Sequence, residues 1–213
     1  MDTRTVILNA AVQVFSKHGF RGSTTRRIAD AAEVNEVTIF RYFGSKDALL
    51  QEAINGSDAS AFSNPLPENP EHPLEELTRW CTAVMSHLQT RKSVIRKCMG
   101  EIEERPELTA RAAEAPTRAT NELCAYFSRL EKKGLTHDHF DASAAASMLI
   151  ASLFHDAMGR EMMPDIYPKP AARAPGRYAR LILHAIGVNP DVVGGTTPST
   201  ETKRSRRTST PTI

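Results

Sequence analysis

Two short helical patterns, TTRRIADAAE and NEVTIFRYF, lie head to tail between Thr24 and Phe43, with room between them for no more than a tight turn. In the first, Ile28, Ala29 and Ala32 fall at i, i+1 and i+4, one apolar stripe of a short helix. Ser23, Thr24 and Thr25 precede it, and a hydroxyl there caps the free N–H groups of the first turn. In the second, Val34, Ile39, Phe40 and Phe43 supply packing positions, and Asn35, Glu36, Val37 and Thr38 stand at the start. GSKDALL follows at once, with Ser45 placed to cap another helix. Helices joined this tightly form a helix-turn-helix, a unit whose second member enters a DNA groove by its N-terminal residues.

The residue types suit that task. Asn35 can pair bidentately with adenine, and Thr38 offers a methyl to thymine and a hydroxyl to a base or phosphate. Glu36 either accepts from the cytosine amino group or is a solvated carboxylate beside the turn; near phosphates it needs a donor. Arg41, Tyr42 and Lys46 are placed for the DNA backbone, which holds register without reading sequence. Arg26 and Arg27 oppose the dipole of the first helix, so either an anionic partner lies nearby or both are solvated.

Bulk charge does not carry the binding. The chain's formal charge is +2, and the first fifty residues hold seven basic groups against five acidic ones. Affinity must come from where the basic groups sit. Cys81, Cys98 and Cys124 are odd in number and lack C-x-x-C spacing, which argues against a disulfide framework and a zinc module. The longest uncharged stretch, Ala142 to Phe154, is shorter than the roughly 20 residues of a spanning helix. With no signal peptide pattern at the start, the expectation is a cytoplasmic protein with no membrane contact.

Helical period runs through the rest, with no β period, so the fold class is all-α. Helix one spans about 3–18, with Val6, Ile7, Ala10, Ala11, Val14 and Phe15 on one stripe and Gly19 ending it. A fourth helix begins at Lys46. Prolines at 65, 67, 70 and 73 exclude regular structure and mark a boundary. The organisation is thus a DNA-binding head over 1–54, with its helix-turn-helix at 24–43, a linker over 55–73, and a helical body over 74–188. From Leu74 the body reads as helices near 74–88, 94–102, 116–130, 142–161 and 176–186, with a proline-rich loop at 164–175. The 142–161 pattern is rich in Ala and Ser, Ala146 among them, and small residues let a second subunit approach. Residues 189–213 are Gly, Thr, Ser, Pro and Lys/Arg with nothing to bury, a disordered tail. Its KRSRR run is either a nonspecific DNA contact or a solvated terminus.

Other clusters are weaker. His137, Asp138, His139 and Asp141 resemble metal ligands, but adjacent positions do not share a helical face and no further ligand is evident, so a polar loop between helices is the better reading. His155 and Asp156 are neighbours on a helix, about 100° apart, and so do not form a catalytic dyad. No catalytic or cofactor motif appears, and neither a metal nor a cofactor is expected. The cysteines either sense oxidants or are small core residues. Trp80, Met85, Met99, Phe127, Phe154 and Met158 are large and pliable and spread over four helices; they either line a ligand pocket or fill a core.

The first quarter of the chain resembles the tetracycline-repressor (TetR) family of bacterial regulators. VILNAAVQVFSKHGF, TTRRIADAAEV, NEVTIFRYF and GSKDALL carry the likeness. The resemblance implies that Thr24 caps helix two, that Thr25 and Arg26 face DNA, and that Lys46 touches a phosphate. It implies a homodimer on a palindromic double-stranded operator, released by a small apolar or cationic effector held in the body. Three positions depart from the family pattern: Glu33 and Val37 stand where Gly is usual, and Phe40 where a Tyr donates to phosphate. A DNA-binding architectural protein whose body only dimerises is the alternative.

Overall fold

The computed structural model describes residues 2–55, 65–104, 113–136 and 140–188. Among them are nine α-helices and no strand. They are α1 (Thr3–Gly22), α2 (Thr25–Ala31), α3 (Glu36–Phe43), α4 (Lys46–Asn55), α5 (Pro73–Thr90), α6 (Lys92–Glu101), α7 (Glu114–Lys132), α8 (Ala142–Gly159) and α9 (Ala174–Ala185). The expected KRSRR tail, residues 137–139 and residues 56–64 of the 55–73 segment lie outside the described residues.

The head closes around the apolar stripe of α1. Ile7, Ala11 and Phe15 are buried against Ile28 and Ala29 of α2, Ile39 of α3 and Leu49 and Leu50 of α4. Gly19 breaks α1 at φ 66°, and one further turn carries Phe20 into the same core. The left-handed φ favours glycine, and so does the space. A Cβ there would stand 2.1 Å from Oε1 of Glu101 and 2.6 Å from Cε of Lys97, both on α6.

The body core is a second cluster, in which Leu77, Trp80 and Cys81 of α5 meet Leu123, Phe127 and Leu130 of α7, Leu149 and Leu153 of α8, and Leu183 of α9. Several boundaries differ from the periodicity by a turn or less, two of them at prolines. Helix α7 starts at Glu114, with Pro116 inside its first turn, and α9 starts at Ala174, with Pro175 inside its first turn. Proline is at home there because first-turn N–H groups have no intrahelical partner. The loop before α9 holds two short 3₁₀ turns, Pro164–Ile166 and Ala171–Arg173. It is fastened to the last turns of α8. Asp156, fully buried, accepts from Nε of Arg160 at 2.6 Å, from a second guanidinium nitrogen, and from the Tyr178 hydroxyl at 2.8 Å. His155 faces outward and meets the Tyr167 hydroxyl at 3.1 Å through Nδ1, so the two neighbours serve different partners.

Helix α6 joins the two cores. Val94 and Cys98 are buried with the head, and the Glu101 carboxylate accepts from the Phe20 N–H at 3.0 Å. Arg91, just before α6, donates to the Ile54 carbonyl at the end of α4. On its other side Lys92 pairs with Glu161, and Arg96 donates to the Met158 carbonyl at the end of α8.

Candidate nucleic-acid interface

Both helices of the turn unit are capped by their own side chains. The Thr24 hydroxyl accepts from the Arg27 N–H at 3.2 Å, and Asn35 Oδ1 accepts from the Val37 N–H at 3.0 Å. Between them Glu33 adopts φ 54°, the conformation glycine finds easy, and Val34 N–H closes onto the Ala29 carbonyl at 3.0 Å. A non-glycine residue in this region bears a cost of about 1 kcal/mol. The Thr25 hydroxyl donates to Glu36, tying the start of α2 to the start of α3.

With Ile39 buried, α3 turns an unusual surface outward. Val37 is 72% exposed and Phe40 48%, with Arg41 and Tyr42 also exposed and the Arg41 guanidinium 5.3 Å from the Tyr42 ring. Exposed apolar side chains grouped on one helix face and rimmed by polar groups are a common mark of an interaction surface. Arg26 is exposed on α2. Lys46 lies with its ammonium 4.5 Å from the Phe20 ring and 3.4 Å from the Phe20 carbonyl, at the N-terminus of α4, which Ser45 caps by accepting from the Ala48 N–H at 3.0 Å.

These positions refine the residue roles. Asn35 already uses Oδ1 for its cap, one of the two arms that a bidentate pair with adenine needs. Glu36 has found its donor in Thr25 rather than standing free beside the turn. That bond is a contact sequence reasoning missed. Eleven residues separate its partners, and only the crossing of two helices brings them together.

The body residues expected to gather do so only partially. Trp80, Met85 and Phe127 are buried in the body core, Met158 packs against it, and Phe154 is half-buried on α8. Met99, against expectation, does not join them. It is 54% exposed, because α6 spends its buried face, Val94 and Cys98, on the head. Burial pushes the Cys98 thiol up to about 11, aided by nearby Glu101, and pushes the Cys81 thiol higher still. Thiols held protonated this way behave as packing groups. No group of three or more metal-ligating side chains occurs among the described residues, nor any helix long and apolar enough to cross a membrane.

Comparison with known proteins decides the family. Residues 7–53 match the model for bacterial regulatory proteins of the tetR family, and residues 74–184 match that for the C-terminal domain of AefR-like transcriptional repressors. The chain belongs to the TetR family of transcriptional regulators. It is 30% identical over 139 residues to the HTH-type transcriptional regulator YvkB of Bacillus subtilis, covering 65% of this chain and 73% of that one. Over 48 residues it is 51% identical to the HTH-type transcriptional repressor NicS of Pseudomonas putida, 22% of this chain and 23% of that one. Among solved structures, Salmonella enterica GusR superposes with a TM-score of 0.68 at 21% identity, over 86% of this chain and 95% of that one. A TetR-family regulator from Mesorhizobium loti gives 0.67 at 19% identity, over 86% and 94%. The likeness in fold thus spans head and body, and the chain is a DNA-binding transcriptional regulator of the TetR family.

Proposed function

We propose that this regulator is a homodimeric repressor that grips an imperfect palindrome with two heads and is released by a small molecule bound in the body. The observation that carries the release step is the double attachment of α6. Its Val94, Cys98 and Glu101 belong to the head, while Lys92 and Arg96 hold the last turns of α8. A shift of α8 by a ligand in the body therefore pulls on α1 at Phe20 and, through Arg91, on the end of α4. Two heads so moved lose their common spacing, and simultaneous contact with both half-sites is lost.

Supporting the dimer, α8 and α9 pack together and leave uncharged and apolar positions outward: Ala144, Ser147, Met148 and Ala151 on α8, Leu181 on α9. Met148 is 64% and Leu181 67% exposed. On DNA, Val37 and Thr38 face base edges, Arg26, Arg41, Tyr42 and Lys46 hold phosphates, and Thr24, Thr25, Asn35 and Glu36 fix the angle of α3.

The architectural alternative has its own support in the bulky, fully buried Trp80, Tyr126 and Phe127 of the body core. Mapping bound DNA across the source genome, then titrating the intact chain on a recovered site with and without candidate effectors, separates the two. Release by a small molecule that binds the protein establishes the repressor reading. Binding that no ligand alters establishes the architectural one.

A further inference from the structure

The start of α3 offers a DNA groove less polarity than its sequence suggests. Asn35 spends Oδ1 on the Val37 N–H at 3.0 Å, which removes one arm of a bidentate base contact. The Glu36 carboxylate is engaged by the Thr25 hydroxyl. Thr38 is half-buried. The side chain that stands furthest into solvent is an apolar one, Val37, at 72% exposure.

Val37 has a matching neighbour. At about 100° per residue, Phe40 lies about 60° to one side of it and Arg41 about 40° to the other. Ile39, fully buried, points nearly the opposite way. Phe40 is 48% exposed, and neither it nor Val37 contributes to the head core. The outward face of α3 is thus an apolar pair with a cation at its edge, and the Arg41 guanidinium rests 5.3 Å from the Tyr42 ring.

The chemistry of the groove selects what covers this pair. The chain is a DNA-binding regulator, and a recognition helix enters the major groove by its first residues. Every base pair displays hydrogen-bonding nitrogen and oxygen there, but only one apolar group, the C5-methyl of thymine. Against the polar edges an isopropyl group displaces water and returns no hydrogen bond. Against the methyl it removes apolar surface from water on both sides. Gly, usual at this position in the family, brings no such group, so the contact belongs to this chain's own residue.

We propose that Val37 reads a thymine of the operator half-site by its C5-methyl, with the Phe40 ring shielding the contact from water. What is recognised is the methyl rather than the base, so 5-methylcytosine at the same place is accepted better than cytosine. This rests on the reading above that α3 enters the groove by its start, and it names what that start recognises.

Selection of randomised duplexes by the intact chain gives the preferred half-site. Each thymine in it is then replaced in turn by deoxyuridine, which removes the methyl and keeps every hydrogen-bonding group. At one position the replacement should lower affinity about fourfold for each half-site, the worth of about one buried methyl. Val37→Ser should erase that penalty, and Val37→Thr, which keeps one methyl, should reduce it. Both changes fall on an exposed position, and circular dichroism checks that the head stays folded. At the same position, methylating a substituted cytosine should recover about fourfold for the native chain and nothing for Val37→Ser. Thr38→Ala should weaken binding yet leave the deoxyuridine penalty in place. A penalty that survives Val37→Ser, one that vanishes in Thr38→Ala instead, or no thymine whose methyl counts would each overturn the assignment and leave α3 as the recognition helix. Val37→Ser and Thr38→Ala that each weaken selected and random DNA equally would remove the groove reading itself, and the methyl contact with it.

Discussion

The hydroxyl of Thr25 donates to the carboxylate of Glu36, so the first residue of α2 holds the first residue of α3 across the turn. The bond answers the question that a carboxylate raises at the edge of a DNA interface. It also ties the start of α3 to the start of α2, with Glu36 in a positioning role. Thr25→Val and Glu36→Gln, alone and together, should show a coupling of about 1 kcal/mol in denaturant unfolding, since the bond is charge-assisted but half-exposed. Additive losses would mean the contact contributes nothing in solution.

Roles on DNA separate by specificity. Thr38→Ala should weaken binding to the operator more than to random DNA, by about 1–3 kcal/mol if a base contact is lost. Lys46→Ala should weaken both and lower the salt slope by about one. Asn35→Ala removes a helix cap, so it should lower the stability of the protein by about 1 kcal/mol and weaken both DNAs together. Parallel titrations on the two DNAs test all three, and a selective loss for Asn35→Ala would return it to base reading.

The proposed subunit interface is tested at Ala151. Ala146, the small residue the composition brings forward, is fully buried within its own protomer, so Ala146→Glu should unfold the body rather than separate the subunits. Ala151 and Met148 are exposed on α8. Ala151→Glu with Met148→Lys should give folded monomers with very weak operator binding, and sedimentation would show it. A dimer unaffected by both changes would move the interface elsewhere.

Acid stability should report on Glu76. Burial pushes its carboxyl up, but hydrogen bonds from the His72 N–H, the Tyr126 hydroxyl and the Glu71 N–H outweigh that and hold it below the ordinary value of 4.5. A depressed folded value means stability that is complete above the unfolded pKa and lost as pH falls through the folded one. Glu76→Gln should therefore cost stability at neutral pH and flatten the acid limb below about pH 4. Equal acid limbs in the two proteins would contradict this.

Much of this architecture is legible in the chain because local rules govern it. Thr24 and Ser45 cap where short polar residues precede helices, Gly19 takes the left-handed conformation expected where α1 breaks, and Glu33 takes it at the turn position where the family resemblance puts Gly. What escapes is set by tertiary crossing. Nothing local says that Glu101 reaches Phe20, that Asp156 is buried between Arg160 and Tyr178, or which face of α6 meets the head. Met99 and Ala146 depart from expectation for that reason. Periodicity shows that a helix has an apolar side, but not which neighbour takes it.

The most direct measurement is hydroxyl-radical footprinting of the intact chain on a site recovered by genome-wide mapping, read beside the stoichiometry of the complex. Two protected faces related by a two-fold axis are expected, their centres one helical turn of about 10 bp or a multiple apart, with two chains for each pair. Protection of a single face by one chain, or protection with no preference for sequence, would contradict a palindrome-reading dimer.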